Sequence, residues 1–201
     1  MNETIEPKLA PPGAGLPKVE LLVARALFAW RQIRGNRDFF TADFQREREA
    51  IRALVRDCDA ESGARRVLID RVPGLEDSSR YWSVWMTLEH LRIIHTGISR
   101  TIGALAKGVV PPGKANTAAV KPVPDIGEAV VAEYEKSCDK LLETVAAISN
   151  LKTTARFAHP WFGPLDASGW HAMAGTHLAI HRQQIEQILG GLPKAMPARS
   201  A

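Results

Sequence analysis

The chain has 201 residues, 45% hydrophobic and 24% charged, which is enough length and ordinary composition for one globular domain with a sizeable core. Its formal charge of +4 is modest, and Arg46, Arg48, Arg52, Arg56, Arg65, Arg66 and Arg71 are interleaved with acids; this reads as a solvated helix face and argues against a nucleic-acid partner. Cys58 and Cys138 lack any CxxC spacing and read as free thiols, and the absence of a signal-like start or of 18 consecutive apolar residues points to a cytoplasmic protein without a membrane partner.

Residues 1–17 contain Pro7, Pro11, Pro12, Gly13, Gly15 and Pro17 and are expected to form a mobile arm ahead of a single domain over 18–190. From Lys18 to Arg34, Leu22, Ala26, Trp30 and Ile33 recur at helical spacing, and Gly35-Asn36 closes the run. A second helix is expected from Thr41 to Asp57, with Phe44, Ile51, Leu54, Val55 and Cys58 inside and Arg46-Glu47-Arg48-Glu49 facing solvent. The run Arg65–Arg71 ends at the turn signal Val72-Pro73-Gly74.

Ser83 is placed to cap a long helix reaching Lys107, where Gly108 and Pro111-Pro112-Gly113 stop it. Val84, Leu88, Leu91, His95, Ile98, Ile102 and Leu105 form its packing seam, with His90 near the edge. Residues 108–124 read as a loop. Asp125-Ile126-Gly127-Glu128 matches a capping box that opens a helix reaching about Asn150. After a connector containing His159-Pro160-Trp161-Phe162-Gly163-Pro164, Asp166 caps a last helix ended by Gly190-Gly191, and residues 191–201 form a tail. No stretch alternates as a half-buried strand does. The expected fold is all-α, a four-helix bundle with an additional N-terminal helical segment.

The last helix carries the chemistry. Trp170, Ala174, His177, His181, Gln184 and Ile188 share one face, so two imidazoles sit a turn apart in a core-type seam. Burying them without partners is costly, and a shared metal ion would turn that cost into a gain. A third ligand has to come from a facing helix, and helix 83–107 offers His90 and His95. The seam of that helix taken alone leans towards His95. Three histidines leave a position open to water or substrate, and zinc, nickel and ferrous iron all accept imidazole.

Trp82-Ser83-Val84 followed by Leu88-Glu89-His90-Leu91 resembles the start of the second helix of DinB/YfiT-like proteins. His159-Pro160-x-x-Gly163, Trp170, and His177-x(3)-His181 with Gln184-Ile185 behind it are similar to the last-helix signature of that superfamily. The resemblance spans roughly residues 18–190. It implies a four-helix bundle holding a divalent metal on His90, His177 and His181, the Trp82–His90 spacing selecting His90 over His95. Met86 departs from the acidic residue that many relatives carry after the Ser cap. The resemblance further implies a metal-dependent thiol S-transferase or thiol-dependent isomerase, with a low-molecular-weight thiol cosubstrate and a small electrophilic substrate. The rival is a non-catalytic, stress-associated protein whose metal is structural. Relatives also suggest a homodimer through bundle faces, with the N-terminal helix as a further candidate interface.

Other residues have plainer readings beside functional ones. His159 reads as a turn residue, and His171, on another face, as exposed or structural. Glu89 could orient a ligand imidazole or sit in solvent. Gln184 could bind a water or fill the seam. Trp82, Trp85 and Trp170 read as core, whereas Trp161 and Phe162 are the candidates to line a pocket mouth.

Overall fold

The computed structural model describes residues 6–193; the expected tail beyond residue 193 and the first five residues of the expected arm lie outside them. In chain order the helices are α1 (Lys18–Arg34), α2 (Arg37–Val55), α3 (Ala60–Ala64), α4 (Val84–Ala106), α5 (Val130–Ala147) and α6 (Ala167–Gly190). Two small antiparallel ribbons accompany them. In the first, β1 (Val67–Leu68) pairs with β2 (Tyr81–Trp82). In the second, β3 (Phe157–His159) pairs with β4 (Gly163–Leu165). Strands of two or three residues are too short to show alternation, which is why the sequence pattern does not reveal them.

The bundle consists of α2, α4, α5 and α6: α4 packs against both α5 and α6, and α6 packs against α2. The expected seam of α4 is buried along its whole length, from Val84 through Leu88, Leu91, Ile98 and Ile102 to Leu105. Phe40, Phe44 and Ile51 meet it from α2, Tyr134 and Leu141 from α5, and Leu178 and Ile185 from α6. Each large side chain so buried stabilises the fold by roughly 1.5–3 kcal/mol.

Caps fix most helix starts. Ser83 accepts from the Met86 amide at 3.1 Å, so the departure at Met86 leaves the cap itself in place. Asp166 accepts from the Gly169 amide at 2.7 Å. Asn36 does not merely close α1; its side chain accepts from the Phe39 amide at 2.9 Å, so α2 begins at Arg37 rather than Thr41. The Asp125–Glu128 capping box does not form. The helix starts at Val130, after a turn in which the Val130 and Val131 amides donate to the Gly127 and Glu128 carbonyls. Gly127 would have stood inside the first helical turn, where its backbone entropy disfavours helix.

Three expectations about the outer surface need correction. Arg46–Glu49 is not a solvated face: Glu47 is buried and pairs with Arg182 of α6 at 2.7 Å. Arg48 crosses to α5, where it meets Glu135 and Asp139, the latter at 2.7 Å. Glu47 lies on the seam of Phe40, Phe44 and Ile51, at steps of three and four, and so faces inward with them. Residues 6–17 are tied down, since the Ala10 amide donates to Asp77 at 2.7 Å and the Gly13 amide to Glu76 at 3.3 Å. The Pro-rich composition fits an extended path along these acids. The apolar residues of α1 face outward, Phe28 being its buried apolar side chain.

Gly63 of α3 permits a close approach to Trp85 of α4. A Cβ there would lie 2.0 Å from the indole of buried Trp85. Gly63→Ala is expected to lower stability by about 1–3 kcal/mol through overpacking, measured by urea unfolding. Unchanged stability would mean that the indole yields.

Candidate metal centre

The capped helices α4 and α6 set His90 opposite His177 and His181. The Nε2 atoms converge: His90 to His177 is 3.3 Å and His177 to His181 is 3.2 Å. All three lie within 4.8 Å of one another, a grouping that could hold a metal ion. His95, the alternative ligand, points instead towards α5. Its Nδ1 lies 3.3 Å from the Ser137 hydroxyl and 3.5 Å from the Cys138 sulfur. A single-helix seam could not show which neighbour each imidazole faces.

The protons on these rings can be assigned from their partners. His90 Nδ1 lies 2.8 Å from the Val120 carbonyl, which only accepts, so Nδ1–H donates there. Gln184 donates through its amide nitrogen to the Ser79 carbonyl at 2.7 Å, which orients its oxygen towards His181. His181 Nδ1–H then donates to that oxygen at 2.6 Å. Both neutral rings therefore present a bare Nε2 lone pair. His177 Nδ1 is buried without a partner. At most one proton, on His177, is shared among three nitrogens in contact.

Such an arrangement repels itself unless a cation or a donor lies between the rings. A tetrahedral ion 2.0–2.1 Å from each nitrogen would space them about 3.3–3.4 Å apart, close to the His90–His177 and His177–His181 distances found here. The donor set and its geometry fit a divalent metal.

Neighbouring groups shape the site. The Trp82 ring stacks on His181 at an interplanar angle of 4°, and the Lys121 ammonium lies 5.1 Å from that ring. Lys121 donates to the Ser78 and Ser79 hydroxyls at 2.8 and 2.7 Å and pairs with Glu76 at 3.4 Å. Burial pushes its pKa down, opposed by Glu76. The histidines open onto a cavity of about 770 Å³ whose wall includes Phe28, Ile94, Ile98, Trp161, Phe162 and Ile180. Trp161 and Phe162 thus line the pocket as expected.

Two acids of the cavity wall, Asp43 and Glu47, are satisfied within the protein. Asp43 accepts from both Arg31 and Arg46, and Glu47 from Arg182. Glu89 forms a two-bond pair with Arg92, each bond 2.7 Å, and does not orient a ligand imidazole. His159 accepts from the Trp161 amide at 3.2 Å, as a turn residue should. His171 is buried rather than exposed, 3.4 Å from the Thr41 hydroxyl and edge-on to Phe40. Sequence reading missed Val120, Ser79 and Lys121. Each sits in a loop, where no periodicity marks an inward residue.

Burial lowers the pKa of every histidine in the chain. His90, His159 and His171 fall to about 4 and His95 to about 3. His177 and His181 lie well below the ordinary value, through burial and the neighbouring imidazoles. A group depressed on folding binds its proton in the unfolded chain first, so stability is lost as pH falls below about 6.5. Urea unfolding of chelator-treated protein should show constant stability above about pH 7. It should then decline by up to about 1.4 kcal/mol per pH unit per histidine between about pH 6.5 and 4. A flat profile across that window would contradict the lowered pKa of these histidines.

A crystal structure of TT2238, described as a four-helix bundle protein, is similar to this chain with a TM-score of 0.55. The two share 22% identity over 75% of this chain and 98% of that one, a likeness of fold. No curated protein matches. The family model of the DinB superfamily matches residues 43–185, the stretch from the second helix to the two histidines of α6, and the protein belongs to that superfamily.

Proposed function

We propose that His90, His177 and His181 hold a divalent metal ion and that the protein joins a low-molecular-weight thiol to a small apolar electrophile. The observation that carries this reading is the meeting of three Nε2 atoms, two of them bare, on the wall of an apolar cavity. A metal so held keeps a position open and supplies a lowered pKa to a bound thiol. Imidazole donors suit zinc, nickel and ferrous iron alike.

The chain's own residues prepare the rest. Val120 and the Ser79–Gln184 pair keep two lone pairs aimed at one point. Apolar walls exclude water and favour a substrate without charge, because Asp43 and Glu47 already have their cations. The thiol proton leaves to solvent, the sulfur bonds to the electrophilic carbon, and the leaving group departs with its electron pair. No protein nucleophile is required.

Elemental analysis of the purified full chain should find about one metal per protein, lost in His90→Ala and in His177→Ala. Full retention in both variants would sink the assignment. Gln184→Leu should weaken metal affinity by roughly 10–100-fold, because an outer partner of a ligand histidine is removed. Thiol consumption with 1-chloro-2,4-dinitrobenzene should then require the metal and stop with chelator. Chelation that unfolds the bundle, with no thiol consumed beforehand, would instead give the ion a structural role.

A further inference from the structure

Helix α1 has two unlike faces. Its inner face binds the rest of the protein: Glu20 pairs with Arg71 and accepts from the Gly74 amide, Phe28 packs on Phe162, and Arg31 pairs with Asp43. Its outer face carries Val19, Leu22, Val23, Leu27, Trp30 and Ile33, exposed by 52–82%. Ala26 and Ala29 lie among them, also exposed.

Residues 19, 22, 23, 26, 29, 30 and 33 follow steps of three and four, the spacing of a seam that packs against another helix. Nothing in the described chain covers it. The six large side chains leave on the order of 700 Å² of apolar surface in water. That exceeds the ~300–600 Å² of an ordinary monomer's largest patch and approaches the ~800 Å² that each partner contributes to a standard interface. The helix also lies outside residues 43–185, the part matched by the family model.

We propose that this face is the interface of a homodimer, in which α1 crosses α1 of a second copy about a two-fold axis at Ala26. Ala26 is the midpoint of the stripe from Val19 to Ile33, and a two-fold axis there brings each half of the stripe onto the other half of its copy. Alanines at the centre allow close approach of the two backbones. An inclined crossing carries Lys18 and Arg34, the like charges at the two ends, away from each other. Val23 and Leu27 also line the cavity, so the second copy would lie across its mouth.

Sedimentation velocity of the full chain from about 1 to 100 µM tests this. Wild type should be dimeric, whereas Leu22→Glu should shift the transition to at least tenfold higher concentration. Its far-UV circular dichroism should be unchanged, because Leu22 touches solvent. Ala26→Cys should form an intermolecular disulfide on mild oxidation that wild type, with Cys58 and Cys138, does not form. A wild type that stays monomeric at 100 µM overturns the proposal, as does a dimer indifferent to Leu22→Glu. Monomeric protein that binds vesicles of phosphatidylcholine and phosphatidylserine through this face would also overturn it, assigning the stripe to lipid.

Discussion

Two acceptors govern the centre of this protein. The Val120 carbonyl takes the Nδ1 proton of His90, and the Gln184 amide oxygen takes that of His181. With those protons fixed on the far side of each ring, the facing Nε2 atoms have only lone pairs to offer. The packing of α4 on α6 forces these atoms together with His177. In a buried setting that cost is tolerable only if a cation or a donated proton lies between them. The grouping is therefore one that could hold a metal ion.

The segments that resolve the tautomers are not bundle helices. Val120 belongs to a short 3-10 turn in the long loop between α4 and α5, and Ser79 to another just before β2. Lys121 ties the two together through the Ser78 and Ser79 hydroxyls while lying over the Trp82 ring. The loops thus form a second layer behind the histidines, and their length serves the site rather than the connection between helices.

Charge is managed differently on the far side of the cavity. Asp43 and Glu47 are buried acids, yet Arg31, Arg46 and Arg182 satisfy them from α1, α2 and α6. Closing these pairs internally leaves a mostly apolar cavity, in which Glu76, Lys121 and the imidazole edges are among the polar groups. The same arginine bridge anchors α1 across the opening, which leaves the other side of that helix facing water. Site and unpartnered seam are in this sense two sides of one helix placement.

Periodicity, caps and spacing were enough to read the four bundle helices, the Ser83 and Asp166 starts, and the histidine face of α6. These depend on residues a few positions apart, where helical geometry leaves little freedom. The sequence also carried the paired aromatics Trp161 and Phe162 to the pocket. The seam of α4 leaned towards His95 while the Trp82–His90 spacing favoured His90, and the tertiary structure brings His90 to the pair, because the rotation of α4 against α6 is a property of two helices. It alone revealed Glu47 as a buried partner of Arg182, residues 135 positions apart. It also turned the apolar face of α1 outward, since amphipathic spacing states that a helix has a buried side without saying what buries it.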